Sequence, residues 1–167
     1  MPPTDDNGAA RPMTALIREF LIQRDRVVTF AAERMGLSLI ELQAVRFLIE
    51  GGQLSMHELA ESVSISASGA TGLANRLIKE GYAERAYLPN DRRKVMLRAT
   101  RTAVDDVQRE LGPPFVALDQ AAGSFSPEHQ RVIGNFFVCA RDELHRVAEE
   151  MKPAGGPPMV QPVKSVS

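Results

Sequence analysis

Two serines eleven residues apart, Ser55 and Ser66, each stand where a helix should begin, and Gly81 stands where the second of those helices should end. Ser55 is followed three residues later by Glu58. This is the capping-box spacing, in which the cap hydroxyl takes the third helical amide and the carboxylate returns to the cap amide. Met56, Leu59, Ala60 and Val63 then supply two helical turns that end around Ser64. Ser66 opens a helix with the apolar stripe Ala70, Leu73, Leu77 and Ile78, and Gly81 can take the left-handed backbone that closes it. Two helices joined by so short a turn form a helix-turn-helix, whose second helix can lie in a major groove while the first crosses the backbone.

The flanking sequence predicts what surrounds this pair. Residues 13–35 carry Leu16, Ile17, Phe20, Leu21, Val27, Val28 and Phe30 at helical spacing, a long amphipathic first helix. Ser38 and Glu41 form another capping box, opening a short, mostly buried helix through Leu42, Val45, Leu48 and Ile49 that stops at Gly51-Gly52. Residues 82–88 and 94–99 read as two strands around Pro89-Asn90-Asp91, a hairpin with a charged tip. Thr100 starts a helix through Val104, Val107 and Leu111 that Gly112-Pro113-Pro114 is expected to interrupt or kink, resuming over residues 115–122. Ser126-Pro127-Glu128 opens a long closing helix through Ile133, Phe136, Phe137, Ala140, Leu144, Val147 and Met151.

The expected fold is therefore mainly α with a small β-hairpin wing. It is a winged helix-turn-helix over about 38–100, set between long helices of about 13–35 and 100–152, in a single domain 13–152. Residues 1–12 and 153–167, the latter holding four of the eleven prolines, read as flexible tails. Aromatic residues make up 5% of the 167, with no Trp, so the core is aliphatic and favours stacked helices over a sandwich. One Cys makes no intrachain disulfide, and no run reaches the ~18 to 20 apolar residues of a membrane span. The acidic N-terminus lacks a signal-peptide pattern, so the expected location is cytoplasmic, with no membrane partner. Net charge is only -1, but residues 53–101 hold eight basic and five acidic side chains, so a polyanion would meet the middle of the chain first.

Candidate contact residues fall in two places. Ser66, Ser68 and Gly69 put small polar groups and free amides at a helix N-terminus, which suits a phosphate and equally suits plain capping. Ala67, Ala70 and Thr71 bring methyls and a hydroxyl within reach of base edges, although Ala70 is as well suited to the core. Asn75 and Arg76 can reach a base or phosphate or stay solvated. At the wing, Asp91, Arg92, Arg93 and Lys94 sit on a turn held by Pro89 and Asn90. That geometry can push a guanidinium into a narrow minor groove, against the alternative of a solvated charged turn.

The stretch 54–100 resembles the MarR family of bacterial transcription regulators, through HELAESVSIS before the second helix, NRLIKEGYAER across its end and DRRKVMLRAT at the wing; the flanking helices extend the likeness over about 13–151. The resemblance implies a homodimer, joined by interleaved terminal helices, that binds double-stranded DNA. It implies that Arg93 enters the minor groove oriented by Asp91, with Arg92 and Lys94 on phosphates. Most simply the protein is a repressor released by a small-molecule effector; the alternative is a winged-helix protein-interaction module without specific DNA binding. The chain departs from the family pattern at Ala99-Thr100, at Arg101-Thr102-Ala103 and at Gly72, where many members carry Arg and where Arg76 can compensate in part.

The terminal helices carry more apolar residues than a small winged-helix core can cover, so Val28, Phe30, Phe136, Phe137, Leu144 and Val147 are expected at an interface or in the core. Relatives of this kind bind small aromatic acids or lipophiles between lobe and dimer helices. Phe20, Met35, Phe47, Met56 and His57 can line such a cleft or simply fill the core. Cys139, among Phe137, Val138 and Ala140, reads as a buried structural thiol. Catalysis finds no support. His57-Glu58 begins like a zinc-protease helix, but Glu61 stands where the second His is required; His129 is alone, and His145 with Glu149 is a common surface pairing. No cofactor or metal is expected.

Overall fold

Helix caps set the element boundaries. The structure, a computed structural model, describes residues 11–88 and 91–151, and for 88 and 91–94 the backbone alone; nearly all of both expected tails lies outside those residues. In chain order the elements are α1 (Met13–Met35), α2 (Leu39–Gly51), β1 (Leu54–Ser55), α3 (Met56–Ser62), α4 (Ala67–Lys79), β2 (Ala83–Leu88), β3 (Asp91–Ala99), α5 (Arg101–Gly123) and α6 (Pro127–Glu150). Ser38 and Ser55 each close a full capping box, their amides donating to Glu41 at 2.8 Å and Glu58 at 2.7 Å. Ser66, Thr100 and Ser126 cap α4, α5 and α6 through their hydroxyls.

The turn between α3 and α4 is closed by Ser64, held at φ 55°, with the Ile65 amide donating to the Ala60 carbonyl at 2.9 Å. At the end of α4, Gly81 takes φ 80° and the Tyr82 amide reaches back to the Leu77 carbonyl at 2.8 Å. That six-to-one bond needs a left-handed residue, which Gly supplies without a Cβ penalty. The core beneath is aliphatic: Leu42, Val45 and Leu48 of α2, Leu59 of α3, Leu73 and Leu77 of α4, and Leu97 of β3 are essentially sealed from solvent. Tyr82 ties this lobe to α1, its hydroxyl donating to the Met35 carbonyl at 2.9 Å.

The sheet is antiparallel in the order β1-β3-β2, with Leu54 opposite Leu97 and Ala86 opposite Met96. Its third strand, β1, is absent from the sequence expectation because two residues show no period. The second wing strand begins at Asp91 rather than Lys94, and Arg92, Arg93 and Lys94 lie where the ladder skips, between the pairs Leu88–Asp91 and Tyr87–Val95. Leu88 stands opposite Asp91 after a register shift at Tyr87.

Two further expectations are corrected. Of the interruption or kink expected at Gly112-Pro113-Pro114, the interruption does not occur, since helix α5 is continuous from Arg101 to Gly123. Gly112 has no Cβ to clash with the following proline ring, and the carbonyls four residues back that lose their donors can turn to water. Cys139 is exposed, not buried, because α6 has no buried residue in its own chain. Among the described residues, no helix is long and apolar enough to cross a membrane.

The capping boxes make stability depend on acid. The Ser55 amide, then the Ser55 hydroxyl, hold the Glu58 carboxyl below its ordinary value of 4.5. A group whose folded pKa is depressed stabilises fully above its unfolded value and loses that contribution as the pH falls through the folded one. Thermal melts between neutral pH and pH ~3 should show wild-type stability falling below about pH 4.5, with a shallower fall in Glu58→Gln; identical slopes would contradict the role of this carboxylate.

Candidate nucleic-acid interface

Helix α4 divides its residues cleanly between two sides. Ala70, Leu73, Ala74 and Leu77 face the core, while Ala67, Ser68, Thr71, Asn75, Arg76 and Lys79 are exposed. This corrects the expectation for Ala70, which is fully buried. Its methyl fills the helix-turn-helix core and meets no external partner. The remaining α4 candidates share one outward face, because residues three and four apart stack on one side of a helix.

The N-terminal turn is capped at one amide. Ser66 Oγ accepts from the Gly69 amide at 3.2 Å and lies 3.1 Å from Ser68 Oγ. Thr71 Oγ1 donates to the Ala67 carbonyl at 3.1 Å, which leaves its lone pairs turned outward. Asn75 projects from the second half of the exposed face. Arg76 does not extend freely, since its Nε donates to Glu41 Oε1 of α2 at 2.7 Å.

At the wing, the backbone of Asp91, Arg92, Arg93 and Lys94 forms the start of β3, and their side chains are outside the description. Arg98 is paired across the strands with Glu84 at 2.7 Å, which neutralises it. Lys79 and Arg85, which belong to the basic middle of the chain but not to the candidate contacts, are both exposed, as is the cross-strand pair Tyr87 and Val95. Helical spacing from Asn75 and strand alternation from Ala86 were the signals that could have found them.

Two open clefts flank α2. One, about 500 Å³, lies against α1 and is lined in part by Arg24, Val28, Leu42, Arg46 and Phe47. The other, about 300 Å³, lies against α5, with Arg46, Ile49, Leu111 and Phe115 in its wall. Of the expected cleft residues Phe47 lines the first; Met35 is in the core, Met56 packs against it, and Phe20 and His57 are on the surface. His57 pairs with Glu61 at 2.9 Å. Among the described residues no cluster of three or more His, Cys, Asp or Glu could hold a metal ion.

A model of the MarR family matches residues 35–94, the span from the end of α1 to the wing. A Bacillus subtilis HTH-type transcriptional regulator, YcgE, is 30% identical over 125 residues, covering 73% of this chain and 79% of that one. The chain belongs to the MarR family. It is a DNA-binding transcription regulator, as members of that family are, and not an enzyme. The fold agrees with solved MarR-type structures. A MarR family protein from Bacillus stearothermophilus superposes with a TM-score of 0.66 at 18% identity, over 79% of this chain and 92% of that one. A variant of S. aureus MepR bound to an oligodeoxyribonucleotide superposes with a TM-score of 0.57 at 14% identity, over 80% and 99%.

Ser66 allows capping to be weighed apart from DNA contact in this MarR-family chain. Ser66→Ala should cost about 1 kcal/mol of stability without DNA, measured by urea unfolding; an unchanged midpoint would show that the hydroxyl serves something other than the helix.

Proposed function

We propose that the chain, as a domain spanning about 13–152, acts as a homodimer that sets two α4 helices in major-groove segments one turn apart and two wings in the flanking minor grooves. The observation that carries this reading is the outward face of α4. It combines a capped N-terminus, small methyl and hydroxyl groups and an arginine, with no large apolar side chain. Such a face suits base edges and phosphates better than a protein groove, which calls for aromatic or aliphatic anchors.

In this reading Ala67 and Thr71 meet base edges, and Ser66, Ser68 and Gly69 approach a phosphate at the helix N-terminus. Asn75 and Arg76 reach a base or the backbone. Arg93 enters the minor groove oriented by Asp91, with Arg92 and Lys94 on phosphates. The dimer forms through α1, α5 and α6, whose Phe30, Phe137 and Leu144 are 53%, 54% and 66% exposed in the single chain. Such a protein works in the cytoplasm, where the DNA is.

The regulator is a repressor, released when a small lipophilic or aromatic effector enters between the lobe and the long helices. The α1–α2 cleft supports this, since Val28, Leu42 and Phe47 give it an apolar wall beside Arg24 and Arg46, which pair with Asp25 and Glu50 of the same lining. A ligand that binds better to a dimer with misspaced α4 helices weakens DNA binding by that same differential affinity.

Fluorescence anisotropy tests the reading, using DNA from upstream of the protein's own gene and a scrambled duplex over a salt series. The expected result is binding at least ~10³ tighter to the first, with a steep negative salt slope. Arg93→Ala should weaken binding and lose A·T preference at the site edges. Equal, weak binding to both duplexes, insensitive to Arg93→Ala, would overturn the reading in favour of a protein-interaction module.

A further inference from the structure

Glu41 takes part in two structures at once. Its Oε2 accepts from the Ser38 amide and the Ser38 hydroxyl, both at 2.8 Å, completing the cap of α2. Its Oε1 accepts from Arg76 Nε at 2.7 Å, across 35 residues of sequence. The carboxylate is well covered, with its side chain 15% exposed, whereas the Arg76 side chain is 59% exposed. The Ser38 amide, and after it Arg76, hold the Glu41 carboxyl below its ordinary range, so it is anionic at neutral pH.

The geometry at Arg76 is asymmetric. Nε is spent on Glu41, and among the described residues neither Nη has a hydrogen-bond partner. Nη1 lies 4.0 Å from the point a Cβ on Gly72 would occupy, so the guanidinium leans back along α4 over the position that lacks a side chain. Ser68, Gly72 and Arg76 are four residues apart and form one stripe of the helix. The fork is thereby held over the turn N-terminal to Arg76, on the exposed side of α4.

We propose that Glu41 is a positioning residue for DNA binding: it anchors Arg76 through Nε and presents the free Nη edge as a fixed phosphate-binding fork over Gly72. This rests on the reading of the α4 face as the DNA-facing one. An unanchored arginine loses rotamer freedom when it meets a phosphate, whereas an anchored one has already lost it on folding. The planar guanidinium can serve a carboxylate and a phosphate together because its five donors point along different edges, which a lysine ammonium cannot reproduce. The opposing reading is that Glu41 neutralises Arg76 and withdraws it from DNA. The two differ in sign.

Glu41→Gln separates them, because glutamine still fills the third position of a capping box while the ionic hold on Arg76 is lost. The probe is a short fluorescein-labelled duplex of mixed sequence, since phosphate contacts operate without an operator. Arg76→Ala should weaken binding roughly tenfold and reduce the salt slope by about one. Glu41→Gln should weaken it roughly threefold to fivefold when measured well below its melting temperature, which falls modestly because the cap of α2 loses its charged acceptor. Arg76→Lys, which keeps the charge, should not restore wild-type affinity. The double variant Glu41→Gln/Arg76→Ala should bind as Arg76→Ala does, because the carboxylate acts only through the arginine. Binding by Glu41→Gln as tight as or tighter than wild type, or additive losses in the double variant, would overturn the proposal while leaving the DNA-facing reading intact. Absence of salt-dependent binding by the wild type would overturn that reading and the proposal with it.

Discussion

The last helix buries none of its residues in its own chain. Phe136, Phe137, Val138, Leu144 and Val147 are all exposed along α6, and Phe20, Leu21, Ile22 and Phe30 along α1, with Phe115, Val116 and Leu118 on the second half of α5. Covering a large apolar side chain contributes about 1.5–3 kcal/mol, so a surface of this size left to water is a heavy cost. A second copy offers the same surface and is the simplest cover. The α4 helices and wings then come in pairs, with a spacing set by how the long helices interlock.

The lobe that carries α4 is built differently. Its leucines form one continuous core with Ala31, Ala32 and Met35 of α1 and Ala103 and Leu111 of α5, and a polar link adds to that packing. The Tyr82 hydroxyl joins the lobe to the end of α1, while the pair of Arg34 in α1 with Glu110 in α5 at 2.7 Å ties the two long helices to each other. The two clefts lie on either side of α2 and share Arg46 and Glu50. A ligand entering either would press on the seam between lobe and dimer helices, where a small tilt changes the distance between two recognition helices.

What the sequence made legible was local. The caps at Ser38, Ser55, Ser66, Thr100 and Ser126 and the stop at Gly81 depend on residues within a few positions of each other, and the structure places each where the spacing puts it. The illegible features depend on partners distant in sequence. β1 exists only because Leu54 and Ser55 find β3, and the pairing of Glu41 with Arg76 spans the whole of α2 and α3. Ala70 read equally as a contact or a core residue because a lone methyl fits both, and only the position of α2 and α3 behind it decides. An apolar neighbourhood in sequence suggests that Cys139 is buried, but in the single chain α6 leaves it exposed together with its apolar neighbours. Pro113 and Pro114 in the sequence point to an interruption or a kink, and the missing Cβ at Gly112 helps α5 continue through them.

Sedimentation equilibrium of the full chain across the micromolar range tests most directly whether the long helices are an interface. The expected mass is twice the 18.3 kDa of one chain, shifting to a single chain when Leu144 and Phe137 are both replaced by Asp. A wild-type protein that sediments at 18.3 kDa throughout that range, with its α6 as resistant to proteolysis as its core, would contradict the dimer and the paired reading of DNA that depends on it.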